Sequence, residues 1–379
     1  MNIGIVTWYI YDNFGSVLQV YAMQQAIKKL GYENDIIKYH GNQYISKKRT
    51  DLTELYQRII RKIKKAFGIL EYKYFSYFKT EYQNRNIKFN DFRNNFLVFS
   101  KKYYNYNELV DNDEYDAYIC GSDQIWSPAL VDKFYYLDFV KNKNKTIAYA
   151  PSFGRSYINK DVSSSVKTLI NNIRYLSIRE NKGAKLIKEL TGREAIVVLD
   201  PTFLLSADEW DKILIKPKEK KQYILCYFLG KISAWKYRKI IELQKRGNYE
   251  LIIIANKIND LKYKSFSKIN VGPGEFIGYV KNASIICTDS FHGIAFSIIF
   301  KKQFYAFLRF KDNEVNSQNS RVYNILEIFS LNSRLVFPEK EITDSDIYYK
   351  NIQEILNNQV LKSIDYLSSS LKNIKENIL

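Results

Sequence analysis

The sequence contains little that could build a metal centre or a disulfide framework. Its 379 residues include three cysteines and two histidines. Cys120, Cys226 and Cys287 lie far apart, each in an apolar stretch, and this spacing fits neither a disulfide framework nor a zinc site. We expect all three to be small, buried apolar residues. His40 and His292 are too few for a histidine-rich centre, so we predict no metal site.

The distribution of apolar residues also predicts neither a membrane-spanning segment nor a secretory leader. No run approaches the ~18 apolar residues that cross a bilayer. Residues 1–8 have the pattern of a strand, with no basic region followed by an apolar core, so we expect a cytoplasmic protein. Neither a G-x-G-x-x-G nor a Walker A sequence occurs, which leaves dinucleotide or P-loop binding with little support.

Basic residues are in excess. The chain has 58 Lys+Arg against 40 Asp+Glu, a formal charge of +18, which predicts a polyanionic partner or reflects a low-GC genome rich in Lys, Asn, Ile and Tyr codons. The excess is concentrated in residues 46–93, where 13 Lys/Arg face 5 Asp/Glu. Apolar residues from Leu52 to Leu70 recur at helical spacing with basic residues opposite, which predicts an amphipathic helix. That helix packs on the protein or lies on an anionic membrane surface.

Short apolar strands alternate with helices along the chain. The composition, 46% apolar and 26% charged, is ordinary for a soluble globular protein, and ~150 residues per domain suggests two domains. We predict an α/β protein in which two Rossmann-like domains face each other across a cleft, followed by a C-terminal helical tail. The predicted units are residues 1–205 with a basic amphipathic insertion at 46–93, a charged linker at 206–221, a second domain at 222–345 and the tail at 346–379.

Loops at the carboxyl ends of the predicted strands are the places where ligands bind in open parallel sheets. The loops are 12–16, 121–127, 150–154, 179–183, 200–202 and 288–293. Gly15 and Gly293 each lie at the start of a predicted helix, and helix N-termini favour phosphate or carboxylate. We therefore expect an anionic ligand between the two domains.

Three polar residues in these loops carry alternative interpretations. His292 is a general acid or an anion ligand, because imidazole titrates near neutral pH, or else a histidine that caps a helix. Arg179 binds a carboxylate or phosphate in bidentate fashion, or forms a structural ion pair. Asp123 orients a hydroxyl or caps a turn. His40 is expected to be a loop residue, and the spacing around Ser290 is not the G-x-S-x-G of hydrolases.

Five of these loop sequences, in this order, resemble the polysaccharide pyruvyl transferase family over residues 1 to about 335. They are Asp12-Asn13-Phe14-Gly15-Ser16-Val17-Leu18-Gln19, Gly121-Ser122-Asp123-Gln124-Ile125-Trp126, Ser177-Ile178-Arg179-Glu180, Leu199-Asp200-Pro201-Thr202 and Thr288-Asp289-Ser290-Phe291-His292-Gly293. The resemblance implies a GT-B-like fold. It also implies transfer of pyruvate from phosphoenolpyruvate to two sugar hydroxyls, which forms a cyclic ketal and releases phosphate, with no cofactor besides this co-substrate.

The resemblance also implies roles for particular residues. His292 is expected to be catalytic, and Arg179, Ser290, Gly293 and Arg321 are expected to bind the donor, with the second domain as the donor side of the cleft. Some relatives have arginine at the position of Ser290, so Arg309, Arg321 or a lysine is expected to replace that cation. The polar loops of the first domain are expected to bind the sugar acceptor, through Asn13, Gly15, Ser122, Asp123 and Gln124.

The expected partners follow from the same resemblance. They are phosphoenolpyruvate and a saccharide acceptor, which in such pathways is commonly carried on a membrane lipid diphosphate. Residues 46–93 would then hold the enzyme peripherally at the inner face of the plasma membrane. The alternative activity is that of a nucleotide-sugar glycosyltransferase on the same fold. Nucleic-acid binding is not expected, because no RRM, KH or zinc pattern accompanies the basic residues.

Overall fold

The computed structural model describes most of the chain. The described residues are 1–39, 79–110, 113–256, 260, 266–311, 314, 317–343 and 345–378. The amphipathic helix predicted between Leu52 and Leu70, and His40, lie outside them. No helix in these ranges is both long enough and apolar enough to cross a bilayer.

Seven parallel strands form the first sheet. They are β1 Asn2–Val6, β2 Glu33–Tyr39, β3 Phe99–Tyr104, β4 Ala117–Cys120, β5 Thr146–Ala148, β6 Tyr175–Ile178 and β7 Ile196–Val197. Their spatial order is β3-β2-β1-β4-β5-β6-β7, and every pair is parallel. The central strands are apolar and covered on both faces, as parallel strands are. The order reverses direction between β1 and β4, which makes that point a topological switch.

Six parallel strands form the second sheet. They are β8 Tyr223–Tyr227, β9 Glu250–Ile254, β10 Ser267–Lys268, β11 Ile285–Thr288, β12 Gln303–Phe307 and β13 Leu335–Val336. Their order is β10-β9-β8-β11-β12-β13, again wholly parallel. The second switch point therefore lies between β8 and β11. The prediction of two Rossmann-like α/β units with a C-terminal helix is confirmed.

Helices connect and cover the strands. Those in the described ranges are α1 Phe14–Lys29, α2 Lys79–Phe96, α3 Tyr106–Val110, α4 Lys160–Asn171, α5 Asn181–Thr191, α6 Ala207–Asp211, α7 Ala234–Gly247, α8 Pro273–Asn282, α9 Phe291–Ile299, α10 Ser320–Ile328 and α11 Tyr349–Ile378. The predicted linker thus contains the short helix α6, which begins with a capping box between Ser206 and Glu209. Helices α2, α4 and α10 were not predicted from the sequence.

The two sheets are joined through an apolar core that both halves share. Phe14, the first residue of α1, stacks on Phe276 of α8 with ring centroids 4.5 Å apart, and contacts Tyr227 of β8 edge-on. These rings and those of Trp210 and Phe296 belong to one cluster with residues of both sheets. Helix α1 is buried along most of its length and contributes residues to this shared cluster, so it packs between the two halves.

The C-terminal helix returns to the first sheet. Its Ile352 lies in the core shared by both halves, whereas Leu367 and Leu371 pack with Ile3 and Ile5 of β1. Tyr366 donates a hydrogen bond from its hydroxyl to the carbonyl of Ala148 (3.0 Å) in β5. Residues 346–379 were predicted as a C-terminal helical tail, and the described part of this segment is a helix that packs on the first sheet and on the core shared by both halves.

Candidate active site

The two topological switch points face each other across a cavity of about 190 Å³. The first sheet contributes residues that follow β1 and β4, and the second contributes residues that follow β8, β11 and β12. The cavity is lined by Trp8, Tyr11, Asn13, Ser16, Asp123, Gln124, Leu229, Ser290, Phe291, His292, Arg309 and Arg321. Ligands of doubly wound sheets bind beyond the carboxyl ends of the strands, so this is the position at which the fold places a substrate.

Two helices begin at the cavity, one from each half. Asn13 caps α1, its side-chain oxygen accepting from the Ser16 N–H (3.1 Å), and Ser290 caps α9 by accepting from the Gly293 N–H (3.3 Å). The first N–H groups of a helix have no acceptor within the helix, and the helix dipole makes this end positive. Both ends therefore favour an anion in the cavity between them.

Gly15 lets the two helix starts approach each other. A Cβ atom at this position would lie 2.0 Å from Nδ1 of His292, so only glycine leaves room for the imidazole. Gly293 has a different role, since a Cβ there would meet the Thr288 hydroxyl oxygen at 2.4 Å. Neither glycine lines the cavity. Gly15 therefore allows close packing against His292, and Gly293 allows close packing against Thr288.

Asp200, which follows β7, lies between Arg179 and His292, the residues expected to bind the donor and to catalyse the reaction. Its Oδ2 accepts from Nη1 of Arg179 (2.7 Å) and lies 3.5 Å from Nε2 of His292. The contact with His292 is longer than a formed hydrogen bond, and Nε2 has no hydrogen-bond partner among the described residues. The other oxygen, Oδ1, accepts from the N–H and hydroxyl of Thr202. Burial alone would raise the pKa of Asp200, but His292 and Arg179 outweigh it and hold this pKa well below its usual range.

Arg179 lies behind the cavity wall. It is 3% exposed, and Phe291, whose ring centroid is 4.4 Å from its guanidinium carbon, stands next to it. Burial alone would lower the pKa of Arg179, but Asp200, Asp123 and Glu180 together raise it, so the side chain is a fixed cation. Its Nε and Nη2 have no hydrogen-bond partner among the described residues.

Arg309 and Arg321 bring positive charge to the cavity itself. Arg309 follows β12, and its Nε lies 4.0 Å from Asp289, whose carboxylate accepts from the N–H groups of Leu229 and Gly230. Burial, together with the like charges of Arg179 and Arg309, lowers the pKa of Arg321 to about 9. Nε of both Arg309 and Arg321 has no hydrogen-bond partner in the described part of the chain. Three guanidinium groups thus lie close together, with Asp123, Glu180, Asp200 and Asp289 as the neighbouring carboxylates, and their free N–H groups can bind a further anion.

The polar loop of the first sheet divides into lining and supporting residues. Asp123 and Gln124 line the cavity; Asp123 accepts from the Ser16 hydroxyl (2.5 Å) and from the N–H of Gln124 (2.8 Å). Ser122 is fully buried, and its hydroxyl lies 2.7 Å from the Ala150 carbonyl oxygen and 3.1 Å from Asp200. Ser122 therefore supports Asp200 from behind and is not placed to touch an acceptor.

The described end of the basic insertion points its charges inward. Arg85 on α2 donates to the carbonyl of Ala255 (2.7 Å) and to Asn256, and Lys88 pairs with Glu275 at 2.5 Å. Arg93 donates to carbonyls of the loop after β1 and pairs with Asp12 at 2.6 Å. These cations join α2 to both halves of the protein, so they are not available to a membrane surface.

Comparison with known proteins identifies the family. A sequence model of the family described as polysaccharide pyruvyl transferase matches residues 13–309, which is more than three-quarters of the chain. The chain belongs to this family. The match begins at the cap of α1 and ends at Arg309, so it includes the lining residues of both sheets apart from Trp8, Tyr11 and Arg321. A search of curated proteins found no match.

Solved structures similar to this chain include sugar-nucleotide enzymes and a glycosyltransferase. A UDP-GlcNAc 2-epimerase from Methanocaldococcus jannaschii is 11% identical (TM-score 0.47), covering 95% of this chain and 100% of that one. The Neisseria meningitidis UDP-GlcNAc 2-epimerase bound to UDP-GlcNAc is 10% identical (TM-score 0.43; 96% and 100%). An E. coli heptosyltransferase with ADP-2-deoxy-2-fluoro heptose is 13% identical (TM-score 0.35; 86% and 99%).

The structure brings together most of the residues expected from the family resemblance. His292, Ser290, Arg321, Asn13, Asp123 and Gln124 line the cavity, whereas Arg179, Ser122, Gly15 and Gly293 surround it. Arg309 and Arg321 also line the cavity. They were two of the cations expected to replace the arginine that some relatives have at the position of Ser290. Trp8, Tyr11, Ser16, Leu229 and Phe291 were not singled out as site residues, nor was Asp200. The sequence did indicate Asp200, because Asp200-Pro201 follows a predicted strand and lies among the strand-end loops expected to bind ligand. In the described residues no cluster of His, Cys, Asp and Glu could hold a metal ion.

Proposed function

We propose that this protein transfers pyruvate from phosphoenolpyruvate to two hydroxyls of a saccharide, forming a cyclic ketal and releasing phosphate. Family membership supports a pyruvyl transferase acting on a polysaccharide or its precursor. The observation that carries the choice of donor is the cavity lined by Arg309 and Arg321, between two helix N-termini and beside His292. Phosphoenolpyruvate is a compact ligand with a phosphate and a carboxylate, so it suits a small site rich in guanidinium groups.

The cations would act most strongly on the departing phosphate. Arg309 and Arg321 lie on the second sheet's side of the cavity, and Arg179 stands behind Phe291. Negative charge grows on the phosphate as its bond to carbon breaks. Fixed positive groups in a partly buried site stabilise that charge without having to reorganise. The three arginines would therefore lower the barrier to phosphate release.

His292 is suited to proton transfer. In the proposed reaction its protonated imidazole gives a proton to the methylene carbon of phosphoenolpyruvate, and the central carbon becomes a cation that one sugar hydroxyl attacks. The proton of this hydroxyl returns to the imidazole. The phosphate then leaves with the electrons of its bond to carbon, the second hydroxyl attacks the resulting cation at the same carbon, and its proton goes to the phosphate, which closes the ketal. Asp200 lies 3.5 Å from Nε2 and would stabilise the imidazolium that takes part in proton transfer.

We also propose where the saccharide acceptor binds and where in the cell the reaction takes place. We place the saccharide against the first sheet's side of the cavity, near Asn13, Asp123 and Gln124. A lipid diphosphate carrier, a product in an extracellular polysaccharide or capsule, and contact with an anionic membrane through residues 46–93 stay predictions. For the membrane, the inward charges of α2 leave only the part of that segment before residue 79 as the candidate.

Ligand-induced thermal shifts test the donor. Phosphoenolpyruvate should raise the unfolding midpoint of the wild-type protein, and Arg309→Gln and Arg321→Gln should each reduce this shift. Arg246→Gln, which removes an exposed arginine on α7, is the control and should respond like the wild type. Stabilisation by nucleotide sugars without any by phosphoenolpyruvate would instead support the nucleotide-sugar glycosyltransferase.

Substitution of the imidazole tests the mechanism. His292→Ala should fold, as shown by an unchanged circular dichroism spectrum, but should lose transfer of pyruvate, measured as phosphate released from phosphoenolpyruvate with a saccharide present. General acid catalysis contributes ~10²- to 10⁴-fold, so a loss of at least that size is expected. Turnover like that of the wild type would remove His292 from the mechanism.

A further inference from the structure

The loop between β1 and α1 exposes large apolar side chains beside the cavity. Ile10 is 63% exposed and Tyr11 is 60% exposed. Tyr11 and the partly buried Trp8 line the same cavity as His292 and Arg321. Exposed aromatic surface next to a polar cavity commonly marks a binding site, because leaving it in water is unfavourable for folding.

This loop is held rigidly in place. Arg93 on α2 donates from Nε to the carbonyl of Tyr9 (2.9 Å) and from Nη2 to the carbonyl of Ile10 (2.8 Å). The N–H of Asn13 donates to the carbonyl of Tyr11 (2.8 Å), and Asp12 pairs with Arg93. The backbone that carries the aromatic rings is thus bonded to the same buried arginine on both sides of Ile10. The exposure of Tyr11 is a feature of an ordered loop.

The aromatic rings support one another. Trp8 contacts Tyr11 edge-to-face, with ring centroids 6.1 Å apart and an angle of 81°, and it contacts Tyr135 in the same manner at 6.3 Å and 88°. Edge-to-face contacts of this kind are favourable and restrict how the rings can turn. Trp8 is therefore held by ring contacts with both Tyr11 and Tyr135.

We propose that Trp8 and Tyr11 form a ring-stacking subsite for the pyranose of the saccharide acceptor. This inference rests on the proposed function and extends it by assigning acceptor-binding residues that the family match does not include. A pyranose has C–H faces that pack on aromatic rings and hydroxyl edges that form hydrogen bonds. The lining supplies both, since Asn13, Asp123 and Gln124 adjoin the aromatic pair.

The charges favour a sugar over a nucleotide at this subsite. The carboxylate of Asp123 lines the first sheet's side, whereas Arg309 and Arg321 line it from the second. A carboxylate accepts hydrogen bonds from sugar hydroxyls and repels phosphate. With the phosphoenolpyruvate anion held by the arginines, the hydroxyls of a sugar on the aromatic pair would lie beside the donor.

Saturation-transfer difference NMR tests the subsite. The probes are the methyl glycosides of glucose, galactose, mannose and N-acetylglucosamine, and UDP, each titrated in the presence of phosphoenolpyruvate. The variants are Trp8→Ala and Tyr11→Ala, with Tyr348→Ala as the control, because Tyr348 is 82% exposed and does not line the cavity. Circular dichroism establishes that each variant is folded.

The expected result is that at least one glycoside binds the wild type, and that each alanine variant of the aromatic pair weakens this binding about tenfold. Tyr348→Ala should bind as the wild type does. Unchanged glycoside binding in both variants, no glycoside binding to the wild type, or binding of UDP that depends on Trp8 would overturn the subsite. Absence of stabilisation by phosphoenolpyruvate would count against the proposed function, while loss of glycoside binding in the variants would still support the aromatic subsite.

Discussion

Replacing Asp200 by asparagine changes one charge at the centre of the site and keeps the side chain's shape. The carboxylate is fully buried and bonds Arg179 at 2.7 Å, and it lies 3.5 Å from His292. Asparagine can still accept from Thr202 through its oxygen. Its amide group, however, would face Nη1 of Arg179, so that two donors meet and the guanidinium is left without its closest anion.

The expected loss of stability follows from burial of the remaining charge. Removing one partner of a buried ion pair costs about 3–5 kcal/mol, because the other charge remains out of water. Asp123 and Glu180 each lie 4.0 Å from Arg179 and compensate only in part. We therefore expect Asp200→Asn to lower the free energy of unfolding by about 3 kcal/mol, the low end of that range.

The same variant should change how stability depends on pH. A carboxyl whose pKa is lowered on folding, as that of Asp200 is, stabilises the folded state above about pH 4, where the unfolded chain is ionised. This contribution is lost as the pH falls through the lower, folded-state pKa. Asp200→Asn should therefore lose stability less steeply than the wild type as the pH falls below about 4.

Urea unfolding followed by tryptophan fluorescence measures these effects, because Trp126 and Trp210 are fully buried. Asp211→Asn is the matched control, since Asp211 pairs with Lys281 on the surface and such pairs contribute at most about 1 kcal/mol. Equal stability of the Asp200 variant and the wild type at pH 7 would refute the account of Asp200 as the anion that neutralises Arg179.

Two further predictions concern the cavity wall. A guanidinium group ordinarily titrates above ~12, so a pKa of about 9 means that charging Arg321 costs the fold on the order of 4 kcal/mol below pH 9. Arg321→Met should raise the thermal midpoint at pH 7 while weakening phosphoenolpyruvate binding, and a lower midpoint would contradict this account. Gly15→Ala would place a methyl 2.0 Å from His292 and displace the imidazole, so kcat should fall about 100-fold in a folded protein. Unchanged kcat would show that the imidazole position is not critical.

The alternation of strands and helices was predictable because it depends on local periodicity. The run Ile3–Trp8, the helix that starts after Asn13 and the loop before His292 each carry their own apolar spacing and end signals. Parallel strands all direct their carboxyl ends to one edge, so topology places Asn13 and His292 each at the ligand-binding edge of its own sheet. The segment α2 was missed because its polar sequence has weak apolar periodicity and tertiary contacts stabilise it. The segments α4 and α10 are amphipathic, with apolar residues at helical spacing such as Val166, Leu169 and Ile170, so their sequences did carry the signal.

The amino-acid pattern alone sets the order of strands and helices and the loops that follow the strands. Three-dimensional packing is needed to bring Asp200 between Arg179 and His292, to place Arg321 at the cavity, and to pack α11 on the first sheet. Propensity and capping act over a few residues, whereas these contacts join positions that are distant in the chain. Their geometry depends on how the two sheets pack around α1, and no local pattern in the sequence encodes that packing.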